Sequence, residues 1–412
     1  MRRTLALVAL LLLAGCLGGS GTPAGGDDLR LVEEWRAGNS SVAGNHHAVA
    51  AGTVDGEAVV AVPIGGRAGA DGCELLVLDG DGNERWSEPV PADACTIHAV
   101  ADPAVADFVG DDAPEVIAAS TEREAVAYDA LTGEAAFRYA LSNYGYTRPV
   151  VADATGDGAA ELVVTDVDGT IAVVRPDGET VWRRPLDAYS WSAPSVADYD
   201  ADGAPETLVG LGNGTVVAFD RRGRVAWTAP VEGSVTWSAD GDVDDDAARE
   251  FLAATTDGVV ASIDGRNGTV EWTRPLGRLA AVGPPFDGDG DGVVEVYATN
   301  ATGTLFALDG RDGTVEWTRT LTNGTQMTPP PAAGDVDGDG NRDLVAVTND
   351  GSVSVVDPAD GTVRARYTRD ALVYAHATLA DTDSDGRKEV YVLYGDGRVV
   401  ALTAQSSNSS SS

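Results

Sequence analysis

Five short stretches of this 412-residue chain repeat one spacing of carboxylates, and that spacing suits a hard cation. They are Asp198, Asp200, Asp202 and Glu206; Asp242, Asp244, Asp246 and Glu250; Asp287, Asp289, Asp291 and Glu295; Asp335, Asp337, Asp339 and Asp343; and Asp381, Asp383, Asp385 and Glu389. Acids at positions one, three and five of a tight loop can turn their oxygens on one ion. A glycine at position six permits the bend, and a further acid at position nine adds a ligand. Ligation by oxygen alone points to calcium, in a structural role, because a loop saturated by protein carboxylates leaves little room for substrate. Two thinner stretches, Asp107, Asp111 and Glu115, and Asp153, Asp157 and Glu161, lack the third-position carboxylate. One acidic turn would mean little in a chain with 65 acidic residues, but five in register are hard to obtain from composition.

A second constellation consists of His47, His98, Arg148 and His376, with Tyr144, Tyr146, Tyr189, Trp191, Trp237, Met327 and Tyr374 at comparable positions. Each of the four cationic or imidazole residues falls near the start of a repeat unit. If those starts line a channel, the groups share one side of its mouth. Such a mouth suits a ligand, a peptide or a partner loop, and imidazoles can take a transition metal. The plainer expectation is that these rings pack on one another and fill the channel.

The elements that would position both sets are repeats. Trp35, Trp86, Phe137, Trp182, Trp227, Trp272, Trp317 and Ala365 occupy one short pattern at spacings of 51, 51, 45, 45, 45, 45 and 48 residues. That is the period of a four-stranded propeller blade. Residues 148–186 read as four apolar, β-branched runs separated by Gly and Asp turns, and the pattern recurs at 193–231, 235–276, 281–321 and 328–368, more loosely at 46–90 and 98–141. No sustained apolar period of 3.6 marks a helix in the mature chain. Residues 376–404 supply three strands of an eighth unit, and residues 29–37 at the other terminus supply the fourth, so the ring closes without an open edge. The expected fold is all-β, an eight-bladed β-propeller of four-stranded blades, with seven blades as the alternative if the stretch near 98–141 is degenerate.

The first residues read as processing signal. Arg2 and Arg3 precede an apolar run too short to span a membrane, and the run ends in Leu13, Ala14, Gly15 and Cys16. This tetrapeptide resembles the lipobox of secreted lipoproteins, which implies a signal peptide over residues 1–15, lipid on Cys16, a flexible tether to residue 28 and a membrane partner through the lipid. The alternative is an ordinary cleaved signal in which Cys16 is incidental. The propeller is expected over 29–404 and a disordered Ser-rich tail over 405–412. Cys73 and Cys95 fall on one rim of adjacent strands, so a disulfide between them is expected in an exported chain, two free thiols being the alternative. A formal charge of −37, from 65 acidic against 28 basic residues with Lys388 the single lysine, looks like proteins of extreme halophiles. It excludes nucleic acid as partner, since no basic patch is present to neutralise phosphate. Sequons at Asn39, Asn213, Asn267, Asn300, Asn323 and Asn408 allow surface glycosylation.

Runs such as VVAFDRRGRVAWTAPV and FALDGRDGTVEWTRTL resemble the repeat of pyrroloquinoline-quinone-type propellers, and loops such as GDVDGDGNRDLVAV are similar to calcium-binding FG-GAP and VCBS repeats. Together the resemblances span residues 29–404 and imply fold far more than activity. They imply Trp residues that dock neighbouring blades. A quinone dehydrogenase would need one asymmetric cofactor site, often with adjacent cysteines, and no Cys-Cys pair occurs. Quinone is therefore not the expected cofactor. The expectation is an exported, lipid-anchored, calcium-stabilised binding or assembly scaffold with a protein or surface-glycan partner. The alternatives are a quinone-dependent oxidoreductase using the central channel and a structural envelope or adhesion protein.

Overall fold

The computed structural model describes residues 29–38, 44–66, 69 and 71–406. The lipobox with Cys16, and the sequons at Asn39 and Asn408, lie outside them. The described chain forms eight four-stranded antiparallel sheets, and it contains no helix. Each sheet is a blade whose strands, here A to D from the channel outward, follow chain order. The innermost strands of neighbouring blades touch, as Ala50–Val54 does with Ala104–Ala106 on one side and Thr378–Ala380 on the other. Residues 98–141 make a complete blade from Ala104–Ala106, Glu115–Ala119, Glu124–Asp129 and Ala135–Ala140, which removes the seven-blade alternative.

Closure is made as the termini require. Leu29–Gly38 pairs antiparallel with Arg398–Ser406 and becomes strand D of the eighth blade. The last strand runs two residues beyond the expected boundary at 404, because Gln405 and Ser406 find Arg30 and Leu29 opposite them. Both orphan edges are thereby paired.

Strands B and C carry the core. Glu161–Thr165 and Ile171–Val174, for example, are buried at every residue, because each lies between two neighbouring blades and has no solvent face. Their β-branched residues suit a pleated surface covered on both sides. Strand D alternates exposed and covered residues, and it carries the docking residue of the opening pattern. In all eight blades the C–D ladder has a bulge directly before that residue, as where Ala218 faces Trp227 and Phe219 faces Val225. The extra residue turns the side chain toward the next blade. Trp227 donates its indole N–H to the Gly265 carbonyl at 2.7 Å, and its ring lies on Gly268. A Cβ at Gly268 would come within 2.5 Å of that ring, and φ there is +76°, so glycine is required twice over. Trp35, Trp86, Trp272 and Trp317 repeat the bond to Gly80, Ala130, Gly310 and Pro358. Ala365 has no indole because the eighth blade has no C–D turn to receive one: its strands C and D come from opposite ends of the chain.

Candidate functional site

Two rims of the ring carry polar chemistry. On one, the A–B loops use their acids first to fold themselves. In seven blades the ninth-position acid is buried and accepts the backbone N–H of the loop's second residue: Glu115 from Phe108, Glu161 from Ala154, Glu206 from Tyr199, Glu250 from Val243, Glu295 from Gly288, Asp343 from Val336 and Glu389 from Thr382. First-position acids accept from the bend, as Asp198 does from Gly203 and Asp381 from Gly386. Fifth-position acids take the N–H two residues on, as Asp202 does from Ala204, Asp339 from Asn341 and Asp385 from Arg387. The seven loops are therefore built alike, whatever their third residue.

They differ in what the remaining oxygens face. Asp287, Asp289, Asp291 and Glu295 each bring an oxygen within 4.8 Å of the others. So do Asp198, Asp200 and Glu206, and Asp242, Asp244 and Glu250. The thin loop does as well, through Asp107, Asp111 and Glu115. In three loops, that of Asp242 to Glu250 among them, a guanidinium stands among the carboxylates. Arg364 donates to Asp343 at 2.8 Å and to Asp337 at 2.5 Å, Arg175 donates to Asp157 at 2.9 Å, and Arg266 bonds Asp246. Spacing alone treated the loop from Asp335 to Asp343 as equal to the rest. Arg364, supplied by strand D, gives that loop an internal cation.

Burial pushes the Glu250 carboxyl up to about 8 and Glu206 to about 7, with help from the neighbouring aspartates and against the N–H bond each accepts. Asp343 rises to about 6, less than burial would impose, because Arg364 offsets part of it. Glu250 Oε1, Glu295 Oε1 and Asp381 Oδ1 are buried and have no hydrogen-bond partner. Buried acceptors without donors fit a bound cation in these three loops. Between the loops of blades six and seven lies a cleft of about 610 Å³, lined by Asp287, Asp289, Asp339 and Arg342, with Arg342 stacked 5.3 Å over Phe286.

The opposite rim holds the imidazoles. His47 and His98 are buried with ring centroids 4.7 Å apart, and His46 lies 4.5 Å from His47. Tyr146 sits 5.3 Å from His47 and 5.2 Å from His98, and Trp191 continues the stack at 6.5 Å from Tyr146. Asp102 joins blades one, two and eight: it accepts from His47 Nδ1 at 2.7 Å and from the Ala48 N–H at 3.0 Å, and its other oxygen lies 3.6 Å from His376 Nε2. Burial works to raise the Asp102 carboxyl, but the imidazoles of His376 and His47 outweigh it and hold it well below the usual range. Burial, with the neighbouring His47, drives the His98 imidazole down to about 2. Trp237 of blade five reaches across to His376 of blade eight, ring centroids 6.0 Å apart.

Two expected rim members stand apart from the stacked imidazoles. Arg148 is exposed, because Thr147 and Pro149 on either side turn inward and leave it facing out. Tyr374 packs instead on Gly395 of its own blade. Two members were missed, His46 and Asp102. Both sit in loops without periodicity, and only the contact between adjacent blades reveals their role.

The sequence matches a family model described as outer membrane protein assembly factor BamB, of the PQQ-like propeller type, over residues 75–253, 154–283 and 256–410. The chain belongs to this family. A search of curated proteins finds no match. Among solved structures, this BamB-type propeller is similar to BamB from Moraxella catarrhalis, with 16% identity, a TM-score of 0.62, and coverage of 90% of this chain and 99% of that one. It is also similar to Sqt1 of Chaetomium thermophilum bound to the N-terminus of ribosomal protein L10, with 12% identity, a TM-score of 0.66, and coverage of 90% and 100%. A third is the quinohemoprotein alcohol dehydrogenase of Comamonas testosteroni, with 13% identity, a TM-score of 0.63, and coverage of 92% and 76%. At these identities the likeness is one of fold. At the channel mouth Trp237 and His376 meet, and the described cysteines are bonded to each other across a Cα separation of 6.3 Å.

Proposed function

We propose that this BamB-type propeller is an extracytoplasmic scaffold, held to the membrane by lipid on Cys16 and stiffened by calcium in its A–B loops, that binds a protein segment on its imidazole rim. One observation carries the binding reading. In a chain of formal charge −37, large apolar side chains stand exposed on that rim: Ile97 at 47%, Tyr189 at 38%, Trp191 at 41% and Leu372 at 50%. Exposed aromatic and aliphatic groups on one rim are the makings of an interface anchor. Disulfide-bonded Cys73 and Cys95 support an oxidising location. The unpartnered oxygens of Glu250, Glu295 and Asp381 support calcium, and the loops' FG-GAP-like spacing agrees. A surface glycan is the other partner class that a ring of aromatics would suit. The family is described as that of an outer membrane protein assembly factor, in keeping with a protein partner.

The test is capture from solubilised envelopes with the mature propeller as bait, in parallel with a triple variant Ile97→Ser, Trp191→Ser, Leu372→Ser. The reading expects an envelope protein retained by the native chain and lost by the variant at unchanged melting temperature. Equal capture by both baits, or capture of cytoplasmic proteins alone, overturns it.

A further inference from the structure

Hydrogen bonds assign the protons on the three clustered imidazoles. His46 Nδ1 faces the Gly44 carbonyl at 3.0 Å, His47 Nδ1 faces the Asp102 carboxylate at 2.7 Å, and His98 Nε2 faces the Gly145 carbonyl at 2.8 Å. All three partners only accept, so each of these nitrogens carries a hydrogen. Where a ring carries that hydrogen alone, its other nitrogen, His46 Nε2, His47 Nε2 or His98 Nδ1, is a bare lone pair. His47 Nε2 and His98 Nδ1 are buried with no partner, on residues 6% and 1% exposed. One ring nitrogen from each of the three histidines lies within 4.8 Å of the others.

Three imidazoles that meet at one place, two of them with buried unpartnered nitrogens, are a problem that packing does not answer. Ring stacking leaves them unpaired, and a water has two hydrogens for three acceptors. A cation answers all three. Imidazole selects a transition metal over calcium, and a histidine that donates its far nitrogen to a carbonyl or carboxylate is the arrangement that fixes a metal-binding tautomer. About a zinc ion with bonds of about 2.0–2.1 Å, ligand nitrogens lie roughly 3.3 Å apart, so closing on the ion needs ring shifts on the order of 1 Å.

We propose that His46, His47 and His98 form a three-histidine site for a divalent transition-metal ion, Zn²⁺ being representative, bound through His46 Nε2, His47 Nε2 and His98 Nδ1. Asp102 orients His47 from behind. The fourth position opens toward the channel mouth, where a water or a partner's side chain completes the sphere. The site draws on blades one and two, whereas the carboxylate loops lie on the opposite rim, so the two metals do not compete.

The experiment uses the mature chain without a polyhistidine tag, stripped with chelator and held in excess Ca²⁺ to occupy the carboxylate loops. Titration with Co²⁺ should give one equivalent bound, with the visible absorption of nitrogen-ligated cobalt, and Zn²⁺ should bleach it. His47→Ala and His98→Ala should each weaken Co²⁺ binding at least 100-fold. Asp102→Asn should weaken it roughly 10- to 100-fold, as loss of an orienting partner does. His376→Ala should leave it within a few-fold. Should either buried variant fail to fold by circular dichroism, His46→Ala, at a partly exposed position, carries the same expectation. Absence of any cobalt spectrum in the native chain at millimolar Co²⁺ overturns the proposal. So does one-equivalent binding that survives loss of all three histidines. An anomalous-scattering map that shows only water among the rings after a zinc soak overturns it equally.

Discussion

Replacing Glu250 by Gln should stabilise the metal-free protein at alkaline pH and weaken its response to calcium, two opposite effects from one atom. Glu250 is fully buried; its Oε2 accepts the Val243 N–H at 2.8 Å and its Oε1 has no partner. Burial, reinforced by Asp244, Glu271 and Asp246, raises its carboxyl from 4.5 to about 8. An acid with a raised folded-state value holds a proton that the unfolded chain has already lost, so stability falls as pH climbs from about 4.5 toward 8. Between about pH 4.5 and 7 the loss amounts to roughly 3 kcal/mol, at 1.36 kcal/mol per unit. Gln has the same shape, keeps an acceptor for Val243 and offers an N–H₂ toward Asp244 and Asp246, and it never ionises.

In chelator, then, native and E250Q chains should melt together near pH 4.5 and diverge above it, the variant being the more stable by about 3 kcal/mol at pH 7. Calcium reverses the order. The ion requires the ionised carboxylate, so its stabilisation of the native chain grows with pH, while E250Q loses that loop's share. The assay is denaturant unfolding at constant high salt, with chelator or with millimolar Ca²⁺, at half-unit steps from pH 4.5 to 8. If E250Q in chelator is no more stable than the native chain at pH 8, the burial argument fails. If calcium leaves the native slope unchanged, the loop is not its site.

Three further perturbations address the ring itself. Trp272→Ala removes a buried indole and its 2.7 Å bond to Gly310, and should cost about 3–5 kcal/mol; Trp272→Phe should cost clearly less, as the natural Phe137 implies, and chemical denaturation reads both. Reducing the Cys73–Cys95 disulfide, which spans a sequence separation of 22, should cost about 3 kcal/mol by loop entropy, seen as a lower melting midpoint in reductant. Deleting residues 29–38 uncovers the edge of Arg398–Ser406, and should turn a monodisperse chain into aggregates by light scattering; an unchanged monomer would mean that the ring does not depend on its closing strand.

The blade count was legible because docking imposes one bulge eight times and, in seven of the eight, a side chain wide enough to reach the next blade's turn. Even Ala365 keeps the bulge although it has nothing to reach. The loops were legible as a class for the same reason, since the ninth-position acid folds every one of them. Which loops keep a free oxygen was not legible. In the loop from Asp335 to Asp343 the deciding residue is Arg364, some twenty positions downstream of Asp343, whose guanidinium enters the loop only once strand D has folded back. The imidazole site was half legible. His47 and His98 mark strand starts, but His46 adjoins His47, and strand alternation would send it to the other side. It turns back because residues 44–46 precede the strand and obey a hydrogen bond to Gly44 instead.

That contrast bears on where function lies in a repeat fold. Whatever all eight blades share must serve the ring, because the ring tests each copy equally. The imidazole cluster is absent from blades four to seven, and Asp102 has no equivalent at other blade junctions that the histidines occupy. A cluster with two buried, unpartnered ring nitrogens is costly to the fold and gains nothing from symmetry. It persists on one side of the mouth beside Trp191 and Ile97, where the exposed apolar residues also gather. Cost and exposure coinciding at one place distinguish a site from an accident of packing, and they make blades one, two and eight the side of the propeller that a partner would meet.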